Sequence, residues 1–443
     1  MYLRGSHWNM KKRRPRSSNP WRVLLLLILI GAALYVNQVV LPATPPLFIP
    51  TATETRNPES FINEAAALYD EGKLSQAIQI YRQAVANDPD NPSIYLAMAR
   101  AQIYTSRYED ALESAERALI LNNNNPVAHA IKAWALDFLG DYTQAEAAVK
   151  RALELDSNNA LSHAVYAEVL MDKSLAGQGD INAIDKAADE SQMAMTIDPT
   201  LLESRRARGY VLWNTGNWQE AVTEYKAALA INDKIADLHM ALGYNYHSLG
   251  EYDQAVQSFL QAYALNPTDP MAPFEISRTY STVGDFTQSV QYADQAVKTE
   301  PSNAKLHGNL GVMYYKNNQL DQAAAELGLA IQGGLLEDGT HVEGAPLNYG
   351  AVAEYYAIYG LALAKLSRCA EAVPIFQAIR SGVSEDEINV YNAEQGLILC
   401  KEGPVGTDEP AGGEATDSVA TEAVATESVD GEVETTETPE AQP

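Results

Sequence analysis

Four histidines are the side chains whose type could support metal binding in this sequence. They are His129, His163, His239 and His307. None of them stands in the His-Glu-x-x-His spacing that places two ligands on one helix face, and the sequence has neither a Gly-rich phosphate loop nor a nucleophile elbow. Acid pairs such as Glu109 and Asp110 stand at predicted helix starts, where the helix macrodipole favours negative charge. The sequence therefore predicts no catalytic residue, no metal site and no cofactor.

The chain contains two cysteines, Cys369 and Cys400. Two are too few for a disulfide framework, and their spacing is not that of a structural metal site. Cys369 stands at the start of one predicted helix and Cys400 at the end of the antiparallel helix that follows it. The two side chains can therefore face each other, either as a disulfide, which a location outside the cytoplasm would allow, or as two buried free thiols.

The distribution of charge excludes one class of partner. The formal net charge is −27, yet the seven Lys and Arg residues before position 41 stand there without any Asp or Glu. From Gly403 onward there are eleven acidic residues and no basic one, which leaves 24 basic and 47 acidic residues in between. Nucleic-acid affinity comes mainly from clustered Lys and Arg, so this acidic body is not expected to bind DNA or RNA.

A basic segment over residues 1–20 precedes an apolar segment over residues 21–41. The apolar residues run from Val23 to Val36 and resume at Val39 after two amides. A helix over this segment, at about 1.5 Å per residue, spans roughly 28 Å, which is near the thickness of a bilayer core. The pattern predicts a transmembrane signal anchor with the basic N-terminus in the cytoplasm and everything after Leu41 outside it.

A cleavable signal peptide has the same layout and is the alternative interpretation. The stretch from Leu41 to Pro46 offers no clear small-x-small cleavage site, which favours an anchor that stays attached. Five prolines occur between Pro42 and Pro58. They predict a stiff, extended linker over residues 42–57.

One small residue recurs every 34 positions, with a single gap of 42. It is found at Ala77, Ala111, Ala145, Ala187, Ala221, Ala255, Ser289 and Ala323. A second small residue follows seven positions later in each unit, from Ala84 to Ala330. A turn glycine recurs at Gly72, Gly140, Gly216, Gly250 and Gly284. Small residues let two helices approach closely and glycine accepts the positive φ that ends a helix, so the pattern predicts paired helices joined by tight turns.

This period and its residue classes resemble the tetratricopeptide repeat, over roughly Pro58 to Ile379 and about nine units. The resemblance implies an all-α, right-handed α-solenoid, in which each helical hairpin buries its apolar face against its neighbours. It also implies that the four histidines occupy a position where the family usually carries a large aromatic residue. We therefore interpret the histidines as packing residues.

The predicted array covers residues 58–382 and departs from the regular period in two places. Insertions are expected near residues 173–180 and 333–349, and a capping helix is expected over residues 384–402. Ser384 and Glu387 form a capping box, which predicts that this helix begins near Glu385. Such a helix would cover the apolar face of the last hairpin.

Aromatic and Arg side chains recur on the expected inner face of the superhelix, at positions that stacking does not require. The predicted groove residues are Arg100, Trp134, Arg206, Tyr210, Trp213, Tyr244, His247, Arg278 and Tyr315, with Asp137, Met240 and Phe274 beside them. Such side chains give large contact areas and have little entropy to lose. The resemblance implies that the groove binds extended peptides or helices, and packing inside a tightly wound superhelix is the other interpretation.

The tail over residues 403–443 is rich in Thr, Glu, Ala and Val and contains no aromatic residue. It cannot bury enough apolar surface to become ordered. We expect it to be a solvating segment, and a docking peptide is the alternative.

Together these features predict a membrane-tethered scaffold of a bacterial cytoplasmic membrane, which binds protein partners outside the cytoplasm and is not an enzyme. Aromatic grooves also stack on sugar rings, so a protein that binds glycans or envelope polymers is one alternative. An accessory subunit of a cell-envelope enzyme complex is the other.

Overall fold

The computed structural model describes residues 19–40 and 57–402, in two separate compact units. The first unit contains helix α1, Pro20–Tyr35, followed by a π-helical turn, Val36–Val40. Asn19 caps α1, because its side-chain oxygen accepts a hydrogen bond from the Trp21 amide. The basic segment, the linker and the tail lie almost wholly outside the described residues.

The N-terminal helix is apolar along its length. It continues to Gln38, spans 19 residues and has no buried residue. It is therefore long and apolar enough to cross a membrane, a test that a signal sequence also passes.

The second unit consists of nine helical hairpins, here called units 1 to 9, and one further helix within residues 57–402. The hairpins are α2 Pro58–Asp70 with α3 Leu74–Asn87, α4 Pro92–Ile103 with α5 Tyr108–Leu121, α6 Pro126–Phe138 with α7 Tyr142–Leu155, α8 Ala160–Leu175 with α9 Ala183–Ile197, α10 Leu202–Asn214 with α11 Trp218–Ile231, α12 Ala236–Ser248 with α13 Tyr252–Leu265, α14 Met271–Thr282 with α15 Phe286–Thr299, α16 Ala304–Lys316 with α17 Leu320–Gln332, and α18 Ala351–Lys365 with α19 Cys369–Gly382. The further helix is α20, Glu387–Glu402. This arrangement confirms the predicted α-solenoid.

The turn inside every hairpin contains a residue with positive φ, between 56° and 83°. Six units use glycine there: Gly72, Gly140, Gly177, Gly216, Gly250 and Gly284. Units 2, 8 and 9 use Ser106, Asn318 and Ser367 instead. The predicted role of the turn glycines is confirmed, and three non-glycine residues adopt the same left-handed conformation at a steric cost.

The recurring small residues lie where the two helices of a hairpin are closest. All eight of the first set, from Ala77 to Ala323 and including Ser289, are fully buried. In unit 6 a glycine of the first helix provides additional room, because a Cβ atom built on Gly243 would lie 2.4 Å from the Phe259 ring. Gly360 has the same relation to Phe376 in unit 9. Close helix packing therefore explains both the alanines and these glycines.

The first helices of the hairpins form the inner face of the solenoid. First helices of neighbouring units contact one another, as α6 does with α8, α8 with α10 and α16 with α18. Second helices mainly contact the first helix of their own unit and that of the next. The surface lined by the first helices is therefore the concave one.

The irregular segment before unit 9 and the last helix contain details that the sequence did not predict. Residues 333–349 contain a short antiparallel pair of strands, β1 Gly334–Leu335 and β2 His341–Val342. Helix α20 packs on both α18 and α19, as a cap should. It begins at Glu387, and Asp386, not Ser384, accepts the hydrogen bond from the Asn389 amide. The carboxylate of Asp386 also accepts from the Gly350 amide, so the same side chain joins the start of α20 to the start of α18.

The buried core is divided into two main clusters near unit 7. One runs from Leu74 to Ile276 and the other from Ala293 to Ala393. Between them lie polar contacts, in which Ser289 donates to the Ser277 carbonyl at 2.8 Å and Asn309 donates to the Ser277 hydroxyl at 3.2 Å. A smaller apolar cluster of Phe274, Ala296 and Leu306 lies at the same place, so the apolar core continues across unit 7. We call the inner face up to Tyr210 the first part and the inner face from Trp213 onward the second part.

We expect Gly243→Ala to destabilise the array by about 1–3 kcal/mol, because the added methyl group would overlap the buried Phe259 ring. Chemical denaturation followed by circular dichroism measures this loss. Phe259→Leu in the same chain should remove the overlap, so the double variant should lose less stability than the two single losses added together. Additive losses would contradict the packing described for unit 6.

Candidate partner-binding surface

The four histidines hold the turns that precede their hairpins. In each, Nε2 lies 2.9 to 3.1 Å from a backbone carbonyl oxygen six residues earlier: His129 with Asn123, His163 with Ser157, His239 with Asp233 and His307 with Pro301. Tyr95 and Arg205 donate to carbonyls from the same position of their units. This shared contact gives the histidines a structural role in joining one unit to the next.

Two of these histidines also contact a carboxylate. Nδ1 of His307 lies 2.6 Å from Glu326, and His163 contacts Glu190 in the same way. Burial works against the charged ring, but the hydrogen bonds to the carboxylate and the carbonyl outweigh it and raise the pKa of both histidines. Across residues 19–40 and 57–402, no three His, Cys, Asp or Glu side chains converge as metal ligands.

On the inner face of the first part, the predicted groove residue Arg100 is engaged by the chain itself. Its guanidinium pairs with Glu203 of α10, which is 2 % exposed. The Tyr104 hydroxyl donates to the same carboxylate oxygen at 3.1 Å. These contacts join unit 2 to unit 5 across the concave side.

Arg206 makes a second set of internal contacts. Its guanidinium pairs with Glu168 and, at 3.0 Å, with Asp237, and it lies over the Trp134 ring at 5.3 Å. Trp134 is 1 % exposed and packs edge-on against Tyr104. Units 3 to 6 therefore share one buried network in which Arg206 is central.

Next to Arg206 lies a group of buried acids. Burial, followed by the charges of Asp172 and Glu168, raises the pKa of Asp137 well above its usual range. Burial also raises the pKa of Glu168, to about 7, although the charge of Arg206 opposes this. The Tyr210 hydroxyl donates to Asp172. A raised pKa favours the protonated form of Asp137, which lowers the repulsion between this acid and the neighbouring Asp172 and Glu168 carboxylates.

The first part of the array thus fills its own concave side. Arg100, Trp134, Arg206 and Tyr210 all have partners within the chain. The ends of this part also approach each other, because a Cβ atom built on Gly72 in unit 1 would lie 2.4 Å from the Cβ of Lys234. Trp134 and Arg206 are buried, whereas Arg100 and Tyr210 keep part of their surface although their polar groups are paired within the chain.

The inner face of the second part begins with an aromatic stack. The rings of Trp213 and Tyr244 stack at a centroid distance of 5.7 Å, and Tyr244 packs edge-on against Phe259. Trp213, Tyr244 and His247 are all partly exposed. Burial and then the charge of Arg278 lower the pKa of His247, so its ring is neutral at pH 7.

Beyond this stack lie cations that pack on aromatic rings. Arg278 is exposed, and its guanidinium carbon lies 5.8 Å from the centroid of the Phe274 ring. The Nζ atom of Lys305 lies 5.0 Å from the same centroid. Lys365 lies 4.6 Å above the Tyr315 ring. Lys316 donates to the Ser281 hydroxyl at 3.0 Å. We call Arg278, Lys305, Lys316 and Lys365 the cationic strip.

Several residues of these surfaces could not be predicted directly from the sequence. Glu168, Asp172, Glu203 and Asp237 are the acids that complete the buried network, and Lys305, Lys316 and Lys365 complete the cationic strip. A usable signal exists for the lysines, since Lys316 and Lys365 occupy the same position of successive units. The pairing of acids with arginines depends on the superhelix and could not be read from the repeat.

A disulfide joins the cap to the last hairpin. Cys369 is the first residue of α19, Cys400 lies near the end of α20, and their Cα atoms are 5.5 Å apart. The bond fixes the end of α20 next to the turn between α18 and α19.

The paired helices and the concave surface lined by their first helices define an α-solenoid. Family models described as tetratricopeptide repeat match residues 68–135, 127–159, 206–270 and 274–334. The chain belongs to the tetratricopeptide repeat family. Repeats of this family generally serve as non-catalytic scaffolds for protein partners. None of the curated proteins matches the chain.

Solved structures share the fold at low sequence identity. The human IFIT1 dimer with PPP-AAAA is 16% identical, with a TM-score of 0.50 over 77% of this chain and 82% of that one. The Cut9-Hcn1 hetero-tetramer of the APC/C is 17% identical, with a TM-score of 0.44 over 66% of this chain, which spans only 53% of that one. Pseudomonas aeruginosa pilF is 19% identical, with a TM-score of 0.39 over 46% of this chain and 88% of that one. These similarities concern the fold alone.

We expect Asp137→Asn to stabilise the protein at high pH. The pKa of Asp137 is higher in the folded than in the unfolded chain. Its contribution to the free energy of unfolding is therefore fully present below about pH 4 and is lost as the pH rises through the folded pKa. The amide carries no proton to lose and can donate to Asp172. The gain should be near zero at about pH 4 and grow as the pH rises from there towards the folded pKa.

Thermal melts at pH 5, 6, 7 and 8 measure this difference. The groups facing position 137 are Asp172 and Glu168 of α8 and Arg206 of α10, and they stay in place in the variant. Asp253→Asn on the exposed face of α13 makes the same change of charge and should show no such trend. Equal shifts in the two variants would mean that net charge, not the buried site, causes the effect.

Proposed function

We propose that this protein is a membrane-tethered scaffold that binds an extended peptide or a helix of a partner protein on the concave face of its second part. The observation that carries the proposal is the contrast between the two parts of the inner face. In the first part Trp134 and Arg206 are buried, and the polar groups of Arg100 and Tyr210 are paired with carboxylates of the chain. In the second part Trp213, Tyr244, His247, Arg278 and Tyr315 keep exposed surface, and the ion pair of Arg278 with Glu275, at 3.8 Å, is longer than a hydrogen bond.

The physical character of the second part suits a peptide. Aromatic rings and an arginine give most of the binding energy in many protein interfaces, because they bury large areas and lose few rotamers. The stack of Trp213 on Tyr244 holds both rings in place before binding, which lowers the entropy lost on association. The cationic strip adds a preference for acidic or hydrogen-bond-accepting groups in the ligand.

Two features, the basic residues before the N-terminal helix and the disulfide of the cap, support a position for the array in the cell. We propose that the N-terminal helix stays in the membrane and that the array lies outside the cytoplasm. The basic residues before the helix support this orientation. The Cys369–Cys400 disulfide supports it as well, since structural disulfides persist mainly outside the reducing cytosol. Tethering would raise the local concentration of any bound partner at the membrane.

Thiol trapping in cells tests the orientation. Cells are quenched in acid, and a maleimide of high mass is added with and without prior reduction. An array outside the cytoplasm should gain no maleimide before reduction and two after it, because Cys369 and Cys400 are then the only sites. Labelling of both thiols without reduction would place the array in a reducing compartment.

The concave surface is tested by exchanging matched side chains. We expect Trp213→Ala with Arg278→Ala to weaken peptide binding at least tenfold, since both side chains contribute exposed area to the surface. Peptide and glycan arrays are probed with the full chain in detergent micelles, and the affinity of each hit is then measured in solution.

The matched control is Trp218→Ala with Arg151→Ala. These residues are exposed and lie on the second helices α11 and α7, away from the concave face. The control should bind the same peptides as the unaltered chain. Equal losses in the two variants would contradict the proposed surface, and hits confined to the glycan array would assign the surface to sugar ligands.

A further inference from the structure

The cationic strip is a local reversal of charge in an acidic protein. The net charge of the chain is −27, yet Arg278, Lys305, Lys316 and Lys365 lie on one side of units 7 to 9. Within the described residues, the three lysines form no ion pair, and Arg278 has only Glu275 at 3.8 Å. Glu275 acts on Arg278 and Lys305, and Glu354 acts on Lys316. Asp237 and Asp269 lie near Tyr244, at the edge of the strip. The strip is therefore a run of four cations that is bordered by acids but includes no lysine paired with one within residues 57–402.

The cations of the strip also repel one another. Burial, and then the nearby charge of Arg278, lowers the pKa of Lys316, although Glu354 opposes this. An anion placed between Arg278 and Lys316 would remove this repulsion. At physiological ionic strength the Debye length is about 8 Å, so the distant acids of the body are largely screened and the local charge decides what binds.

The end of the described chain lies close to this strip. Lys365 stands four residues before Cys369, and residue 403 stands three residues after Cys400. Because the disulfide holds the two cysteines 5.5 Å apart, residue 403 lies within about 30 Å of Lys365 whatever the course of these short segments. The tail over residues 403–443 carries eleven acidic residues and no basic one.

We propose that the acidic tail, residues 403–443, docks on the cationic strip and competes with the partner peptide for the concave face. The proposal rests on the proposed function for the meaning of this competition, but the docking itself stands on the charges and on the position of the tail. Any flexible chain of 41 residues has a root-mean-square span of about 35 Å, which is enough to reach Lys365 from residue 403. A tether of this length gives the tail a high effective concentration at the strip, so weak charge pairs suffice.

Docking would give the tail a role, whereas the sequence left both a solvating segment and a docking peptide open. A tail without aromatic residues binds through charge only, so it should be released by salt and by a partner that adds apolar contacts with Trp213 and Tyr244. The strip and the aromatic stack would then act as two subsites, of which the tail uses one and the partner uses both.

Energy transfer within the full chain in detergent micelles tests the docking. Dyes are attached to Val283→Cys in the exposed turn after α14 and to Ser418→Cys in the tail, while the native cysteines remain in their disulfide. We expect the transfer efficiency at 20 mM NaCl to be at least twice that at 500 mM NaCl. Lys316→Glu with Lys365→Glu should abolish this difference.

Two controls keep the result interpretable. Lys226→Glu with Arg151→Glu changes the net charge equally on exposed sites of the second helices α11 and α7, and should leave the efficiency unchanged. Replacing all eleven tail acids by their amides leaves the array untouched and should lower the efficiency as the strip variant does. Circular dichroism melts establish that each variant is folded.

The proposal is overturned if the efficiency is independent of salt, if the amide tail transfers energy as the native tail does, or if the control pair lowers it as much as the strip pair. Peptide binding by a chain that ends at residue 402 is measured separately. Binding there without a transfer signal in the full chain removes the tail proposal alone, and a transfer signal without any bound peptide removes the proposed function alone.

Discussion

The close approach of two helices at a small buried residue is the constraint on which the rest of this structure depends. Ala77 and its counterparts are fully buried at a period of 34 residues, so each hairpin has nearly the same geometry and the same relation to the next. A constant relation between units produces a superhelix, and the superhelix determines which side chains meet on its inner face. The charges and aromatic rings of the inner face are neighbours only because this spacing holds over nine units.

The buried network of the first part shows how a repeat protein can use its concave side for stability. Removing Arg206 or Glu168 from water is unfavourable unless each finds a partner, and here each does, with aromatic rings on the remaining sides. A pair of this kind adds little net stability over an apolar core, but the loss of one partner leaves the other charge buried alone. The network therefore fixes the relative positions of units 2 to 6 and leaves the variable contacts to the second part.

Local patterns were sufficient to predict the architecture, whereas contacts across the superhelix were not. The turn at Gly72, the burial of Ala221 and the start of α11 at Trp218 each depend on residues within one unit, so the repeat predicts them. The pair of Arg100 and Glu203 joins residues 103 positions apart, and whether they meet depends on the curvature summed over several units. The aromatic and Arg residues were predicted from the repeat as inner-face positions, but their division into filled and accessible groups required the structure. The cap is an intermediate case, because its existence could be predicted and its capping residue could not.

Unit 7 differs from the other units in the polar side chains inside its helix contacts. Ser289 stands where the other units carry alanine; its hydroxyl donates to the Ser277 carbonyl, and the Asn309 amide donates to the Ser277 hydroxyl. These hydrogen bonds join α14 both to α15 of its own unit and to α16 of the next, beside the apolar contacts of Phe274. Arg278 follows Ser277 on α14. The helix that these bonds hold against both neighbours therefore carries the exposed cation of unit 7, so the position of Arg278 relative to α16 and its lysines depends on them.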